Sequence, residues 1–470
     1  METASLKALA ISPGKLSPGF SPARRQYTVY VAHGVGTVSL TAEAGAGGTA
    51  LQVNGTPAAS GQPSSPLPLQ VGRNVLRVEP GGYEVKVIRA HPTPTWVRVQ
   101  EHGPWSARDS AGEVVFRDRM WLFGGYTPGL VADVWSSADG VEWRQDGVIP
   151  SASGINIPVN WVYGDHMWVA DNDGTLFASA DGSHWEKVND QTPWKGRYAT
   201  GGAVFAGRMW VLGGKSNGAL HADVWSSVDG REWMLETAQT AWSPRQVFGM
   251  LAVHQGQLWL VGGGITSYHP FKAYREVWSS PDGRNWTKAL DEAPWPGRIW
   301  STALSYRNRL WLLGGFRAEP TWNNFADVWY SPDGAEWREL ACPEIWSARH
   351  ELSAYVHDGK LWVVGGNSWP LTNDVWCLDI PGLCFLSSPV VEEFVGAQYR
   401  YRARADFHHR GGPLRYRLVE GPGWLQVDAE SGLVRGTPEE VGELEVEIEV
   451  YDQEGERARQ RYTLHILPVP

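Results

Sequence analysis

Apolar and polar residues alternate in short runs through the middle of the chain, and the runs recur. Met-Trp-Leu-Phe-Gly-Gly at 120–125 returns as Met-Trp-Val-Leu-Gly-Gly (209–214) and Leu-Trp-Leu-Val-Gly-Gly (258–263). It returns again as Leu-Trp-Leu-Leu-Gly-Gly (310–315) and Leu-Trp-Val-Val-Gly-Gly (361–366). Each copy is followed by Asp-Val-Trp or Glu-Val-Trp, and four of them then by Ser-x-Asp-Gly-x-x-Trp, as from Ser137 to Trp143 and from Ser280 to Trp286. Period-two alternation predicts strands. Asp-Gly predicts tight hairpins, since both residues tolerate positive φ. A repeat of roughly fifty residues with this pattern predicts a β-propeller. Function is then expected where the repeats converge.

The gap between Trp121 and Trp210 is too long for one repeat, and Met167-Trp168 fills it, with Asp171-Asn172 in place of Gly-Gly. Six blades are therefore expected. Asp-Gly pairs starting at 139, 181, 229, 282 and 333 close the last hairpin of five of them. The sixth stops after Asp374-Val375-Trp376, while an unmatched strand, Thr95-Trp96-Val97-Arg98-Val99, precedes the first. Residues 94–100 are expected to complete the sixth blade, which would leave no sheet edge where the ring closes.

Residues 94–380 resemble the kelch-repeat, galactose-oxidase-like family, which carries Gly-Gly at the end of the second strand and a Trp in the fourth. The Ser-x-Asp-Gly-x-x-Trp turn also looks like the sialidase Asp-box, shortened by one residue, and reads first as a structural hairpin. Residues 1–90 are similar to the cadherin-like β-sandwich family through Leu9-Ala-Ile-Ser-Pro-Gly, Leu16-Ser-Pro-Gly-Phe20, Tyr27-Thr-Val and Leu69-Gln-Val-Gly-Arg-Asn74. Residues 385–470 resemble immunoglobulin-like (cadherin-like) modules of bacterial surface proteins. The match is carried by Gly423-Trp-Leu-Gln-Val-Asp-Ala-Glu-Ser-Gly-Leu-Val-Arg-Gly-Thr-Pro438 and Tyr451-Asp-Gln-Glu-Gly455. Related modules bind calcium through clustered carboxylates. The loop Asp406-Phe-His-His-Arg-Gly-Gly412 is basic there, and calcium needs several oxygen ligands, so no calcium site is expected. The expected fold is all-β: a six-bladed kelch-type propeller over 91–381, flanked by two β-sandwich domains.

A formal net charge of −10 and the lack of a basic run disfavour nucleic acid as a partner. No apolar run is long enough to span a membrane. The opening Met-Glu-Thr-Ala-Ser-Leu-Lys has no apolar signal core. An extracellular or cell-surface location is expected if a leader precedes this sequence, and a cytoplasmic one otherwise; the flanking modules imply export. Cys342, Cys377 and Cys384 give neither a disulfide framework nor a metal spacing. Cys377 and Cys384 are read either as a pair or as two free thiols. A monomer without a cofactor is expected.

The 27 tryptophans separate by repeat position. Those filling the same place in nearly every blade are explained by packing between sheets. Trp161, Trp300, Trp322, Trp369 and Trp424 remain. Trp424 belongs to the C-terminal module. Trp300, Trp322 and Trp369 fall in connections that open on one face of a propeller, where they either line a ligand pocket or cover loop backbone.

Arg108, Arg197, Arg245, Arg298 and Arg349 recur 13 or 14 residues before their blades' second-strand Trp, with Ile155 in the second blade. They are expected around the central channel. Arginine suits bidentate recognition of carboxylate or phosphate, and the kelch resemblance implies contacts to acidic peptides. The alternative is pairing with neighbours such as Asp109 and Glu351. The long loops 264–275 and 316–325 belong to the same face. His221, His269 and His350 are also candidates for it, without metal-ligand spacing, so no metal is predicted.

These residues point to a binding protein that recognises an anionic or polar ligand, a glycan or peptide, at an Arg/Trp pocket. The alternative is a kelch-type enzyme, a sugar-acid epimerase or a lyase, with or without a metal. His350, Glu351 and Tyr198 are its candidate catalytic groups. A copper oxidase is disfavoured because the family's crosslinked Cys–Tyr pair has no counterpart.

Overall fold

The computed structural model describes residues 5–16, 19–31, 33, 35–45, 50–265, 271–407 and 412–469. Among the described residues all regular secondary structure is β-strand. The chain divides into two compact units. One is built mainly from residues up to Pro94 and from Ile380 onward, the other mainly from Thr95–Asp379.

In the first unit, the N-terminal residues form a three-stranded sheet (Leu6–Ser12, Thr37–Ala44, Leu67–Pro68) and a five-stranded sheet. The five-stranded sheet pairs Gln26–Val31 in parallel with Tyr83–Arg89. Alternate residues Tyr27, Val29, Val38, Leu40, Val85 and Val87 are buried, as period-two strands with one face inward require. The C-terminal residues build a four-stranded sheet around the long hairpin Gly442–Tyr451/Arg457–Leu467, together with a three-stranded sheet. Tyr399, Val434, Val446, Ile448 and Leu464 lie in its core, with Trp424 packed against them. Cys377 and Cys384 are both buried and are not joined in a disulfide.

Among the described residues, the second unit contains six four-stranded antiparallel sheets. Sheet one runs Gly112–Phe116, Arg119–Tyr126, Leu130–Ser137, Trp143–Val148; sheets two to five repeat the order. In sheet six the outer strand is Thr95–Gln100, paired antiparallel with Leu371–Asp379.

The repeated residues show how the sheets are held. Each second-strand Trp donates its indole N–H to the carbonyl five residues earlier, from Trp121 to Phe116 (3.0 Å) through Trp362 to His357 (3.0 Å). The Gly of each Asp-Gly turn lies flat on the second-strand Trp of the preceding sheet. A Cβ on Gly182 would meet Trp121 at 2.0 Å, and one on Gly140 would meet Trp362 at 2.2 Å. The Gly140 contact joins sheet one to sheet six, so the sheets follow one another in a closed cycle, a β-propeller.

The turn chemistry differs from the expectation. Gly140 has a φ of +72°, but Asp139 is not in the positive-φ region. Asp139 Oδ1 instead accepts the backbone N–H groups of Val141 (2.9 Å) and Glu142 (2.8 Å), while Ser137 Oγ accepts that of Gly140 (2.8 Å). The motif is a self-capping hairpin.

Candidate functional site

The five arginines are scaffold. Arg298 is fully buried and grips Asp327 with both terminal nitrogens, at 2.5 and 2.8 Å, while donating to the Gly314 carbonyl at 3.0 Å. Trp329 Nε1 donates to the same carboxylate at 2.8 Å. The arrangement recurs as Arg108–Asp133, Arg197–Asp223, Arg245–Glu276 and Arg349–Asp374. It joins the Arg, the first Gly of Gly-Gly and the Asp/Glu-Val-Trp into one unit. Burial would raise the carboxyls of Asp133, Asp223, Glu276 and Asp374; the facing guanidinium outweighs it and holds them below the ordinary range. Tyr274 covers Arg245 at 3.6 Å and Phe325 covers Arg298 at 3.9 Å. The expectation of arginines bordering the pocket is therefore corrected. Each spends its donors inside its own sheet, and its partner is the Asp or Glu two residues before the third-strand Trp, not Asp109 or Glu351.

The residues just after the arginines carry the variation. In five sheets the second residue after the Arg position has positive φ: Ser110 (+57°), Ile157 (+48°), Ala199 (+54°), Trp300 (+55°) and Glu351 (+51°). For a non-glycine residue this conformation costs roughly 1–2 kcal/mol. It turns backbone groups toward neighbouring sheets: Glu351 N–H donates to Trp300 O (3.0 Å), Ser110 N–H to Glu351 O (3.3 Å), and Ile157 N–H to Ser110 O (2.9 Å). This belt fixes the first residue after the Arg as well. That residue pairs with the one following Gly-Gly, as in Asp109 with Tyr126, Ile299 with Phe316 and His350 with Asn367.

These positions line a cavity of about 290 Å³. Sheets five and six supply most of the wall: Trp300, Phe316, Trp322, His350, Glu351, Asn367 and Trp369. Asp109, Ser110 and Tyr126 come from sheet one, Asn156 from the start of sheet two and Tyr198 from sheet three. The aromatic half is one cluster around Phe316. Trp300 stacks on it at 5.4 Å, Trp322 and Trp369 meet it edge-on at 5.4 and 5.5 Å, and His350 stacks on Trp300 at 5.2 Å. Trp322 and Trp369 remain 58% and 49% exposed. Trp300 Nε1 is buried and has no hydrogen-bond partner among the described residues.

The polar half is acidic. Ser110 Oγ lies 2.6 Å from Glu351 Oε2 and 3.0 Å from Asp109 Oδ1, and Asn367 Nδ2 donates to Asp109 Oδ2 at 2.8 Å. Burial and the nearby Asp109 charge push the Glu351 carboxyl up to about 8, and burial also raises Asp109. Burial lowers His350 to about 4, so it is neutral at pH 7. Its Nδ1 is 2.8 Å from Asn324 Oδ1. Asn324 Nδ2 faces the Asn367 carbonyl at 2.8 Å. This fixes the amide orientation, so Nδ1 carries the proton and Nε2 the lone pair.

Of the residues expected from sequence, Trp300, Trp322, Trp369, Tyr198, His350 and Glu351 come together here, and the arginines do not. His221 is elsewhere, with its Nε2 2.8 Å from Ser216 Oγ; His269 lies outside the described residues. Asp109 was read only as an arginine partner, and Ser110, Tyr126, Asn156, Phe316 and Asn367 were not singled out. One signal marks most of them: they occupy aligned positions after the Arg and after Gly-Gly where residue type changes from copy to copy.

The fold and site together define an all-β protein, a β-propeller flanked by sandwich-like domains, with a lopsided cavity where the sheets converge. Residues 93–385 match the DUF6242 beta propeller domain, and the chain belongs to that family. Residues 6–93 match the Cadherin-like beta sandwich domain and residues 385–467 the "Putative Ig domain". No curated protein matches the chain. One similar solved structure, described as "Structure of YjhT", is 12% identical, with 59% of this chain and 96% of that chain covered and a TM-score of 0.49.

Proposed function

We propose that the six sheets are blades of a kelch-type ring and that the protein is a binding protein, whose cavity takes an uncharged polar ligand of the glycan type. The observation that carries this reading is the juxtaposition in one cavity of exposed Trp322 and Trp369 with Asp109, Asn367 and Glu351. A sugar ring offers an apolar face to indoles and hydroxyls to carboxyl and amide oxygens, the combination typical of small-molecule pockets. An anionic ligand is disfavoured, because the arginines are occupied and the polar wall carries carboxyls. The cadherin-like and Ig-like regions favour a cell-surface or secreted setting.

The test is a titration of the full chain with a panel of neutral and acidic oligosaccharides, read by tryptophan fluorescence. Neutral glycans should bind. Trp322→Ala and Trp369→Ala should each weaken binding about five- to tenfold with little change in Tm. Unchanged affinity in both variants, or binding confined to acidic glycans, would refute the reading. One observation favours an enzyme in the same cavity: a protonated Glu351 beside a neutral His350 has the form of an acid–base set. Chemical change of a bound glycan, lost in Glu351→Gln, is the result that would select it.

A further inference from the structure

We propose that Asp109, His350 and Glu351 form a binding site for one divalent transition-metal cation of the Zn²⁺ or Mn²⁺ class, with one coordination position open to the cavity. Their ligand atoms all lie within 4.8 Å of one another. Tetrahedral metal–ligand bonds of about 2.1 Å place ligand atoms about 3.4 Å apart, so loading draws these atoms together by up to about 1.4 Å.

Two features set this cluster apart from an ordinary group of acids. First, His350 and Glu351 are 3% and 7% exposed, yet each presents an unpartnered atom at the cavity wall. His350 uses Nδ1 on Asn324 and Glu351 is held through Oε2 by Ser110; among the described residues, the His350 Nε2 lone pair and Glu351 Oε1 have no protein partner.

Second, each prospective ligand is steered by a group behind it. Asn324 orients the imidazole, Asn367 holds Asp109, and Ser110 lies between the two carboxyls. This outer layer is what orients ligands at metal sites. No cation among the described residues balances the two carboxyls: Arg108 and Arg349, the nearest in sequence, are taken by Asp133 and Asp374.

An imidazole with two carboxylates suits Zn²⁺, Mn²⁺ or Fe²⁺ and not Ca²⁺, which takes oxygen ligands. Trp300, Trp322 and Trp369 line the same cavity, so the open position would face any ligand held there. The inference does not rest on the glycan reading, since the cation is titrated without a glycan; its failure would leave that reading standing.

The experiment uses the full chain after chelation and dialysis. Zn²⁺ and Mn²⁺ are titrated calorimetrically, Tm is followed, and Co²⁺ is added as a spectroscopic probe. Saturable binding of one ion, a raised Tm and Co²⁺ visible bands of nitrogen–oxygen coordination are expected. His350→Ala, His350→Gln and Glu351→Gln should each weaken binding at least tenfold, and His184→Ala, at an exposed side chain beside Asp181 in the Asp-Gly turn of sheet two, should not. Near-UV circular dichroism checks that each variant is folded. The Co²⁺ spectrum requires no variant. Absence of saturable binding, Co²⁺ bands without nitrogen ligation, or affinity lost in His184→Ala and kept in folded His350 variants would overturn the proposal.

Discussion

Arg298 illustrates how a charged side chain becomes scaffold. Its guanidinium is buried, paired in bidentate form with Asp327 and roofed by Phe325. Removing one partner leaves the other charge buried and uncompensated, which typically costs about 3–5 kcal/mol. Arg298→Ala should therefore lower unfolding free energy by about that much in denaturant titration; a loss below about 1 kcal/mol would contradict the pairing. Asp133, Asp223, Glu276 and Asp374 have depressed carboxyls. Their contribution is present above the unfolded-state range and is lost as pH falls through the folded values, so the propeller should lose stability in acid. Glu351 has the opposite sign. Its folded value near 8 lies above the unfolded one, so its contribution is present below about pH 4 and lost as pH rises toward and past 8. In chelator-treated protein, Glu351→Gln should gain stability relative to the parent between pH 5 and pH 9, on the order of a few kcal/mol. A difference independent of pH would contradict the buried-carboxyl account.

At the scale of the element, the repeat made the sheets legible. Trp, Gly-Gly and Asp-Gly mark the second strand, its end and the last hairpin, and a residue filling the same place in each copy faces the same packing demand. The arginine partners, read from sequence as Asp109 and Glu351, are in fact Asp133, Asp223, Glu276, Asp327 and Asp374, and a correlated loss marks them. Where the second sheet has Ile155 for Arg, it has Thr175 for Asp and Phe177 for Trp. The three change together because each satisfies the others. The role of Asp in the turn was less accessible, since Asp-Gly suits several turn types and only the geometry shows the side chain capping the backbone. At the same turn, Gly182 combines a φ of +80° with a Cβ position 2.0 Å from Trp121. Gly182→Ala should cost at least about 2 kcal/mol in denaturant titration; a neutral effect would show that the turn and Trp121 are not packed as described.

At the scale of the molecule, sheet six is closed by Thr95–Gln100, far in sequence from the Leu371–Asp379 strand it joins. Deleting residues up to His91 should leave the propeller's Tm within a few degrees of the parent's, whereas deletion through Gln100 should lower it sharply, because a strand and Trp96 leave sheet six together. Equal Tm values would contradict this closure. The candidate site was only half legible. Tryptophans outside the repeat led to the aromatic wall, but the acidic wall is assembled from single residues of different sheets, each unremarkable in its own segment. Only the belt of left-handed residues brings Asp109 beside Glu351. The proposed ligand sits between these two walls. The most direct measurement of this is a crystal structure of the protein soaked with a neutral glycan selected by the fluorescence titration. A sugar ring against Trp322 and Trp369, with hydroxyls toward Asp109, Asn367 or Glu351, is expected. A glycan bound elsewhere with this cavity empty, or one drawing an arginine out of its ion pair, would contradict it.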